Sequence, residues 1–232
     1  MFILIDKKIP DEAKENLSAY GDLIEIESNG IVYDSISGHP DIFVCQTPTN
    51  LFVAPNTPSK ILDSFKRNNI KFEVGTNPLG NNYPFTSFYN AVITDSFLIH
   101  NLKYTDEKII DFNDFKTKIN VKQSYARCNL VAISDNVFIT SDLGIFNALN
   151  KIPLVKILFV KPDQIVLPGF RNGFFGGCCG VIDNNLFVIG NLNRIEDGET
   201  IKSFLKESNV NLIELYNNQL FDGGSIFFLR EH

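Results

Sequence analysis

A mixed α/β chain of five-fold pseudosymmetry, each unit of ββαβ form and the ring closed by the N- and C-terminal strands, is the fold class this sequence predicts. Three observations predict it. An apolar run, a short polar turn and a second apolar run recur five times. A helical-looking segment followed by a further strand also occurs five times. The chain starts on an unpaired strand and ends on half a hairpin, so its two ends can complete one unit between them.

The elements follow in order. "FILID" is a short apolar strand, and "PDEAKENLSAYGDLIEI" after it opens on proline, spaces its apolar residues helically and ends in a second strand. The hairpins are "DIFVCQTPTNLFVAPN", "NAVITDSFLIHN", "NLVAISDNVFITSD", "GVIDNNLFVIGN" and the truncated "GSIFFLREH". Their connections, Thr-Pro-Thr-Asn, Thr-Asp-Ser, Ser-Asp-Asn and Asp-Asn-Asn, carry turn chemistry. Between them lie "PSKILDSFKRNNIKFEV", "TDEKIIDFNDFKTKINV", "LGIFNALNKIPLVKILFV" and "DGETIKSFLKESNVNLIEL", each helix then strand. Hairpins start at 41, 90, 129, 180 and 225, intervals of 49, 39, 51 and 45 residues. The competing reading is an ordinary mixed sheet with helices.

The totals agree with one domain over residues 1–232. A chain of 232 residues, 44% hydrophobic, can bury about 70–75% of its unfolded surface. Charges of both signs are interspersed and the net charge is −6, so nothing here makes a basic field for nucleic acid. "MFILIDKK" is too short an apolar run for a signal peptide, and no run is long enough for a membrane helix. The expectation is therefore a cytoplasmic protein with a small-molecule ligand and neither membrane nor nucleic acid as partner. Cys45, Cys128, Cys178 and Cys179 have no CxxC spacing and no histidine cluster, so no metal and no cofactor is expected. A bridge between adjacent Cys178 and Cys179 would close a strained ring, and all four should be free thiols.

The candidate chemistry starts at "GHPDIFVC", where His39 and Asp41 stand at what reads as a strand entrance. Residues two apart in extended chain point the same way. Further candidates are Asp222 with Gly223 and Gly224 in "LFDGGS", Asn191 in "FVIGN", Asp142 in "ITSDLG" and Cys128 in "QSYARCN". Each has a plainer reading. His39 can satisfy a backbone group, Asp41 can cap a turn or bond Ser37, and Asp222 can serve a tight turn. Cys128 can be a small buried hydrophobe, and Asp142 can be the N-cap of the helix behind it. The stretch "LPGFRNGFFGGCCG", Leu167 to Gly180, allows backbone to approach a ligand or merely needs glycine in a loop, with Cys179 as reserve nucleophile.

With these residues on the page, the chain resembles the pentein superfamily. These are five-fold α/β propellers that include arginine and agmatine deiminases, dimethylarginine hydrolases and amidinotransferases. "HPDIF" is similar to the family's HxD motif and "LFDGGS" to its acid-glycine motif. Cys128, 89 residues after His39, falls two units on, where the family places its nucleophile. The cyclic order matches, with the chain opened at a different joint. The resemblance implies that Cys128 attacks a guanidine-like carbon and that His39 moves the proton. It implies further that Asp41 and Asp222 hold the planar cation, with Asn191, Gly223 and Asp142 at the substrate. Asn191 is neutral where the family often carries an acid, and Arg127 beside Cys128, on the opposite strand face in this reading, would favour a thiolate while repelling a cation. The resemblance also admits a second class, a non-catalytic binding protein like the pentein that blocks ribosomal subunit association.

Overall fold

The computed structural model describes residues 1–230; the last two residues of the "GSIFFLREH" copy lie outside them. It is a mixed α/β structure of several small sheets. Strand β1 (Phe2–Asp6) leads through helix α1 (Asp11–Ser18) to β2 (Asp22–Ile26), and a helical turn α2 (Pro40–Phe43) precedes the hairpin β3 (Val44–Gln46) and β4 (Leu51–Val53). Helix α3 (Ser59–Arg67) then returns the chain to β5 (Glu73–Val74). The next unit is β6 (Val92–Ile93), β7 (Phe97–His100), α4 (Glu107–Phe112) and β8 (Thr117–Asn120). It is followed by a turn α5 (Ala126–Asn129), β9 (Leu130–Ser134), β10 (Val137–Thr140), α6 (Leu143–Leu149) and β11 (Lys156–Phe159). After β12 (Ile165–Val166) come β13 (Cys179–Ile182), β14 (Asn185–Val188), α7 (Gly198–Glu207) and β15 (Asn211–Glu214), then β16 (Leu220–Phe221) and β17 (Phe227–Leu229).

Four sheets repeat one pattern, an antiparallel hairpin with a parallel third strand: β3-β4-β5, β6-β7-β8, β9-β10-β11 and β13-β14-β15. The fifth is made from both ends of the chain. There β17 pairs antiparallel with β1 in the register Phe2↔Leu229 and Ile3↔Phe228, and β1 pairs parallel with β2. The first strands of the sheets neighbour one another, β3 beside β6, β6 beside β9, β9 beside β13 and β13 beside β17. Gln46 Nε2 donates to Phe228 O (2.8 Å), tying β3 to β17. The pair β12-β16, parallel at Ile165↔Leu220, is an addition the repeat reading does not contain.

The helices form where an apolar pair one turn apart meets the sheet. Ala13 and Leu17 of α1, Ile61 and Phe65 of α3, Ile145 and Leu149 of α6, and Ile201 and Leu205 of α7 are all buried. Side chains at i and i+4 share a helix face, and burying a leucine- or phenylalanine-sized pair removes enough apolar surface for about 3–6 kcal/mol. The long loop between β5 and β6 has no regular structure but is anchored by buried Asp106. Its Oδ2 accepts from Thr76 N (2.9 Å), Asn77 N (2.7 Å) and Tyr89 Oη (3.1 Å). The loop's far end is thereby fixed where it delivers Asn90.

One expectation is corrected here. His39 and Asp41 do not enter a strand in extended form: His39 precedes α2, Pro40 takes its first position and Asp41 its second. Proline fits that position because its fixed φ suits a helix start and the missing N–H has no intrahelical partner there. Arg127 and Cys128 likewise share the turn α5 rather than alternate on a strand. No helix among the described residues is long and apolar enough to cross a membrane.

Candidate functional site

The first strand of each of the five three-stranded sheets is preceded by a turn or loop that places one residue two or three positions ahead of it. These residues are Asp41 before β3, Asn90 before β6, Cys128 before β9, Gly177 before β13 and Ser225 before β17. All five meet. Cys128 Sγ donates to Asp41 Oδ2 (3.1 Å), and Ser225 Oγ lies within hydrogen-bond distance of the same oxygen and of Gly176 O, both 3.0 Å. Asn90 Nδ2 donates to Asp41 O (2.8 Å) and lies 3.2 Å from Cys128 Sγ, while Asn90 Oδ1 accepts from Arg127 N (2.8 Å) and Cys128 N (3.2 Å). Gly177 O accepts from Gly223 N (3.1 Å) and Ser225 N (2.8 Å). Backbone conformation assists: Gly224 and Ser225 both take positive φ, 67° and 72°, which turns the Ser225 hydroxyl inward.

A carboxylate and imidazole layer sits against this ring. His39 Nδ1 lies 3.9 Å from Asp222 Oδ1, and its Nε2 lies 3.9 Å from Asp6 Oδ2. Asp222 is held by two backbone donors, Phe174 N (2.9 Å) and Gly224 N (3.1 Å); Asp6 Oδ1 accepts from Lys8 N (2.7 Å). His39, Asp6 and Asp222 line a cleft of about 310 Å³ with Lys8, Asp34 and Leu167. Cys128 and Asp41 are buried and do not line that cleft.

Burial sets the protonation states. It lifts Asp222 to about 7, with help from the charge on Asp41, and lifts Asp6 to about 6. Asp41 is raised for the same reason, and His39 is pushed down to about 3, hence neutral near pH 7. Burial first and then Asp41 push the Cys128 thiol well above its ordinary value. The site therefore holds three carboxyl groups with little counter-charge, and Asp41 Oδ1 and His39 Nδ1 have no hydrogen-bond partner among the described residues. Buried polar atoms left unpaired cost about 1–3 kcal/mol each, so this arrangement favours a group that donates hydrogen bonds to the carboxylates.

The structure sorts the sequence candidates. His39, Asp41, Cys128 and Asp222 come together. Asn191 does not line the cleft; its side chain is taken up by Asn217 Oδ1 (3.1 Å) and by capping Asn193 N (2.9 Å). Asp142 is the N-cap of α6, accepting from Ile145 N (2.7 Å), and Gly223 packs against Ile9. Cys179 is wholly buried on β13 with its thiol raised by desolvation, and it is not presented to the cleft. Within the glycine-rich stretch, Gly176 and Gly177 serve packing, since a Cβ on Gly177 would run into the Asp222 carboxylate and one on Gly176 into the carbonyls of Arg127 and Cys128, while Leu167 and Pro168 at its start line the cleft. Sequence reasoning missed Asp6, Asn90 and Ser225. Asn90 and Ser225 had a usable signal, since each falls at the same offset before its hairpin strand as Cys128 does. Asp6, at the end of β1, had none.

Two kinds of comparison bear on the whole. A family model described as a family of unknown function (DUF6873) matches residues 4–227. No curated protein matches the sequence. Among solved structures, the chain is similar to an amidinotransferase from Microseira wollei in the saxitoxin biosynthetic pathway, at 11% identity and a TM-score of 0.58 over 100% of this chain and 94% of that one. It is also similar to C. jejuni agmatine deiminase, at 12% identity and a TM-score of 0.53 over 87% of this chain and 73% of that one. A substrate-bound variant of the C. jejuni enzyme matches at 10% identity and a TM-score of 0.58, covering 100% and 93%. At these identities the likeness is one of fold, which the chain shares with both enzymes.

Proposed function

We propose that this chain, which belongs to the family of unknown function (DUF6873), is a cysteine-dependent enzyme acting on C–N bonds of a guanidine-like cation, as a hydrolase or an amidine transferase. The observation that carries the reading is the contact between Cys128 Sγ and Asp41 Oδ2 at 3.1 Å beside the His39–Asp222 pair. Nucleophile, acid and imidazole are thus gathered where a planar cation would find unpaired acceptors. We read the five sheets as blades of a closed ring with this cluster on its axis. The β1–β17 pairing and the Gln46–Phe228 bond support that closure.

The chemistry follows from the charges. A guanidinium entering between Asp41 and His39 offsets the buried carboxylates and lowers the cost of ionising the thiol. Sγ then attacks the central carbon and an S–C bond forms. The C–N bond to the leaving nitrogen breaks, and the thiol proton, relayed by neutral His39, ends on that nitrogen. The net charge is unchanged. Water activated by His39 cleaves the S–C bond to give a ureido product, whereas an amine in its place would accept the amidino group. Asp222, fixed by two backbone N–H groups, stands 3.9 Å from His39 Nδ1 and favours positive charge on the ring as it carries the proton, and proton transfer of this kind is worth about 10²–10⁴-fold in rate. No metal or organic group enters these steps.

A second reading, a pentein-fold binding protein without turnover, is favoured by one observation: Cys128 is only 4% exposed and does not line the cleft. Both readings are tested by labelling with 2-chloroacetamidine against the neutral chloroacetamide, with the modified cysteine identified by mass spectrometry. On the enzyme reading Cys128 reacts at least tenfold faster than Cys45 with the amidine alone, and Asp41→Asn or His39→Ala abolishes the preference. Slow, equal labelling of all four cysteines, together with saturable amidine binding, would decide for the second reading; with no binding, both fail.

A further inference from the structure

The first strands of the five sheets start at the polar ring and end at a second opening. Gln46 of β3, Ile93 of β6, Ala132 of β9, Ile182 of β13 and Phe228 of β17 all line one pocket of about 470 Å³. It runs from Ala91, Arg127 and Ile226, the chain neighbours of Asn90, Cys128 and Ser225, to the far ends of the strands, and none of Asp6, Asp41 and Asp222 lines it. Its charged lining is Lys71, Arg127, Arg230 and Asp183, three cations against one anion in a chain of net charge −6.

Arg127 is the unusual member. It starts from α5, next to Cys128, and its guanidinium stands over the Phe227 ring at 5.3 Å, inside the pocket wall. Its side chain makes no hydrogen bond or ion pair among the described residues, and Nη1 is completely enclosed without a partner. The residue as a whole is only partly buried, but a guanidinium has five donors in a planar fork, and an N–H group cut off from water without an acceptor is costly. Asp41 influences Arg127 only through space. Asp183, the pocket's one acid, is engaged by Arg230 Nη2 at 3.0 Å and leaves Arg127 unmatched.

We propose that this opening is a binding site for a small oxyanion, a phosphate or carboxylate group, seated on the Arg127 fork with Lys71 and Arg230 at the rim. The geometry suits such a group because a fork of parallel N–H donors matches two oxygens of one anion, and the Phe227 ring beneath fixes the guanidinium plane. This site is separate from the guanidine-binding reading and stands without it.

The test is the full chain titrated with inorganic phosphate, and separately with acetate, at ionic strength held constant with chloride. The Arg127 Nε–H resonance is followed by ¹⁵N NMR, with melting temperature as a second readout. A saturable shift of that resonance is expected, with a rise in melting temperature of the same dissociation constant. Arg230→Gln should weaken binding about threefold, and Arg127→Gln at least tenfold, the loss of a charge-assisted pair. If Arg127→Gln does not fold, Arg127→Lys and the rim variants carry the comparison, since a lysine offers no fork. An unshifted Arg127 resonance overturns the proposal. So does a rise in melting temperature that is unsaturable or the same in the rim variants, which would mark general salt stabilisation.

Discussion

Replacing Asp222 by asparagine should invert the pH dependence of the native state's advantage over the variant. The Asp222 carboxyl is lifted to about 7 in the fold, by burial and then by the Asp41 charge, against 3.8 for an ordinary aspartate. A group raised in this way binds its proton more tightly when folded. Its contribution is therefore present in full below pH 3.8 and lost as pH climbs through about 7. Between pH 5 and 7 the loss is two pH units at about 1.4 kcal/mol each, or about 3 kcal/mol. Neutral His39 works in the other direction, losing stability as pH falls from 6.5 toward 3, so the wild-type curve alone mixes opposed slopes. The difference between wild type and Asp222→Asn isolates the carboxyl. At pH 5 the variant should be about 1–3 kcal/mol less stable, because an amide N–H₂ replaces an acceptor facing Phe174 N or Gly224 N. By pH 8 that gap should close or reverse, moving by about 3 kcal/mol. Urea unfolding followed by far-UV circular dichroism suits a chain without tryptophan. A gap that stays constant from pH 5 to 8 would mean that Asp222 is an ordinary ionised carboxylate, and the account of a charge-starved cluster would go with it.

Asn90→Ala removes an amide that bonds Asp41 O, Arg127 N and Cys128 N; Arg127 N keeps the Asn90 carbonyl, while buried Cys128 N and Asp41 O lose their partner. It should cost about 2–4 kcal/mol in urea unfolding and abolish any preferential labelling of Cys128. Gly177→Ala would force a methyl into the Asp222 carboxylate, and a melting temperature lowered in keeping with about 3 kcal/mol is expected. Asp142→Ala should cost about 1 kcal/mol by thermal unfolding, the loss of a helix cap, without changing the amidine selectivity of Cys128. A change in that selectivity would return Asp142 to the substrate site.

The repeat was legible because both its signals are local. Hairpin turns such as Ser-Asp-Asn act within a few residues, and pairs such as Ile201 and Leu205 mark a buried helix face with no help from the rest of the chain. The β1–β17 pairing could be anticipated for a different reason: each end carried half of a unit already seen complete four times. Local geometry at the site was less legible. "HPDIF" reads as a strand entrance by its apolar run, yet Pro40 starts a single helical turn, a choice settled by tertiary packing and by the bond from Asp41 N to Gly224 O. Asn191 and Asp142 occupy sequence positions that a family pattern would fill with substrate contacts. Here each caps the chain behind it, and capping is decided by a backbone N–H two or three residues away.

The pre-strand position explains why Asp41 and Cys128 belonged together and why Asn90 and Ser225 were overlooked. Five sheets of similar build whose first strands lie side by side bring the residue ahead of each first strand into one cluster, whatever its separation along the chain. In this molecule the occupants are an acid, an amide, a thiol, a glycine and a hydroxyl, and each hydrogen-bonds another occupant or its immediate neighbour. The glycine makes room: a side chain at Gly177 would displace the Asp222 carboxylate, which lies 3.9 Å from His39 Nδ1. Similarity of backbone thus fixes where the chemistry sits, while departures from similarity at that one position fix what the chemistry is. A search by offset from the hairpin strand, rather than by motif, would have named Asn90 and Ser225 alongside Asp41 and Cys128.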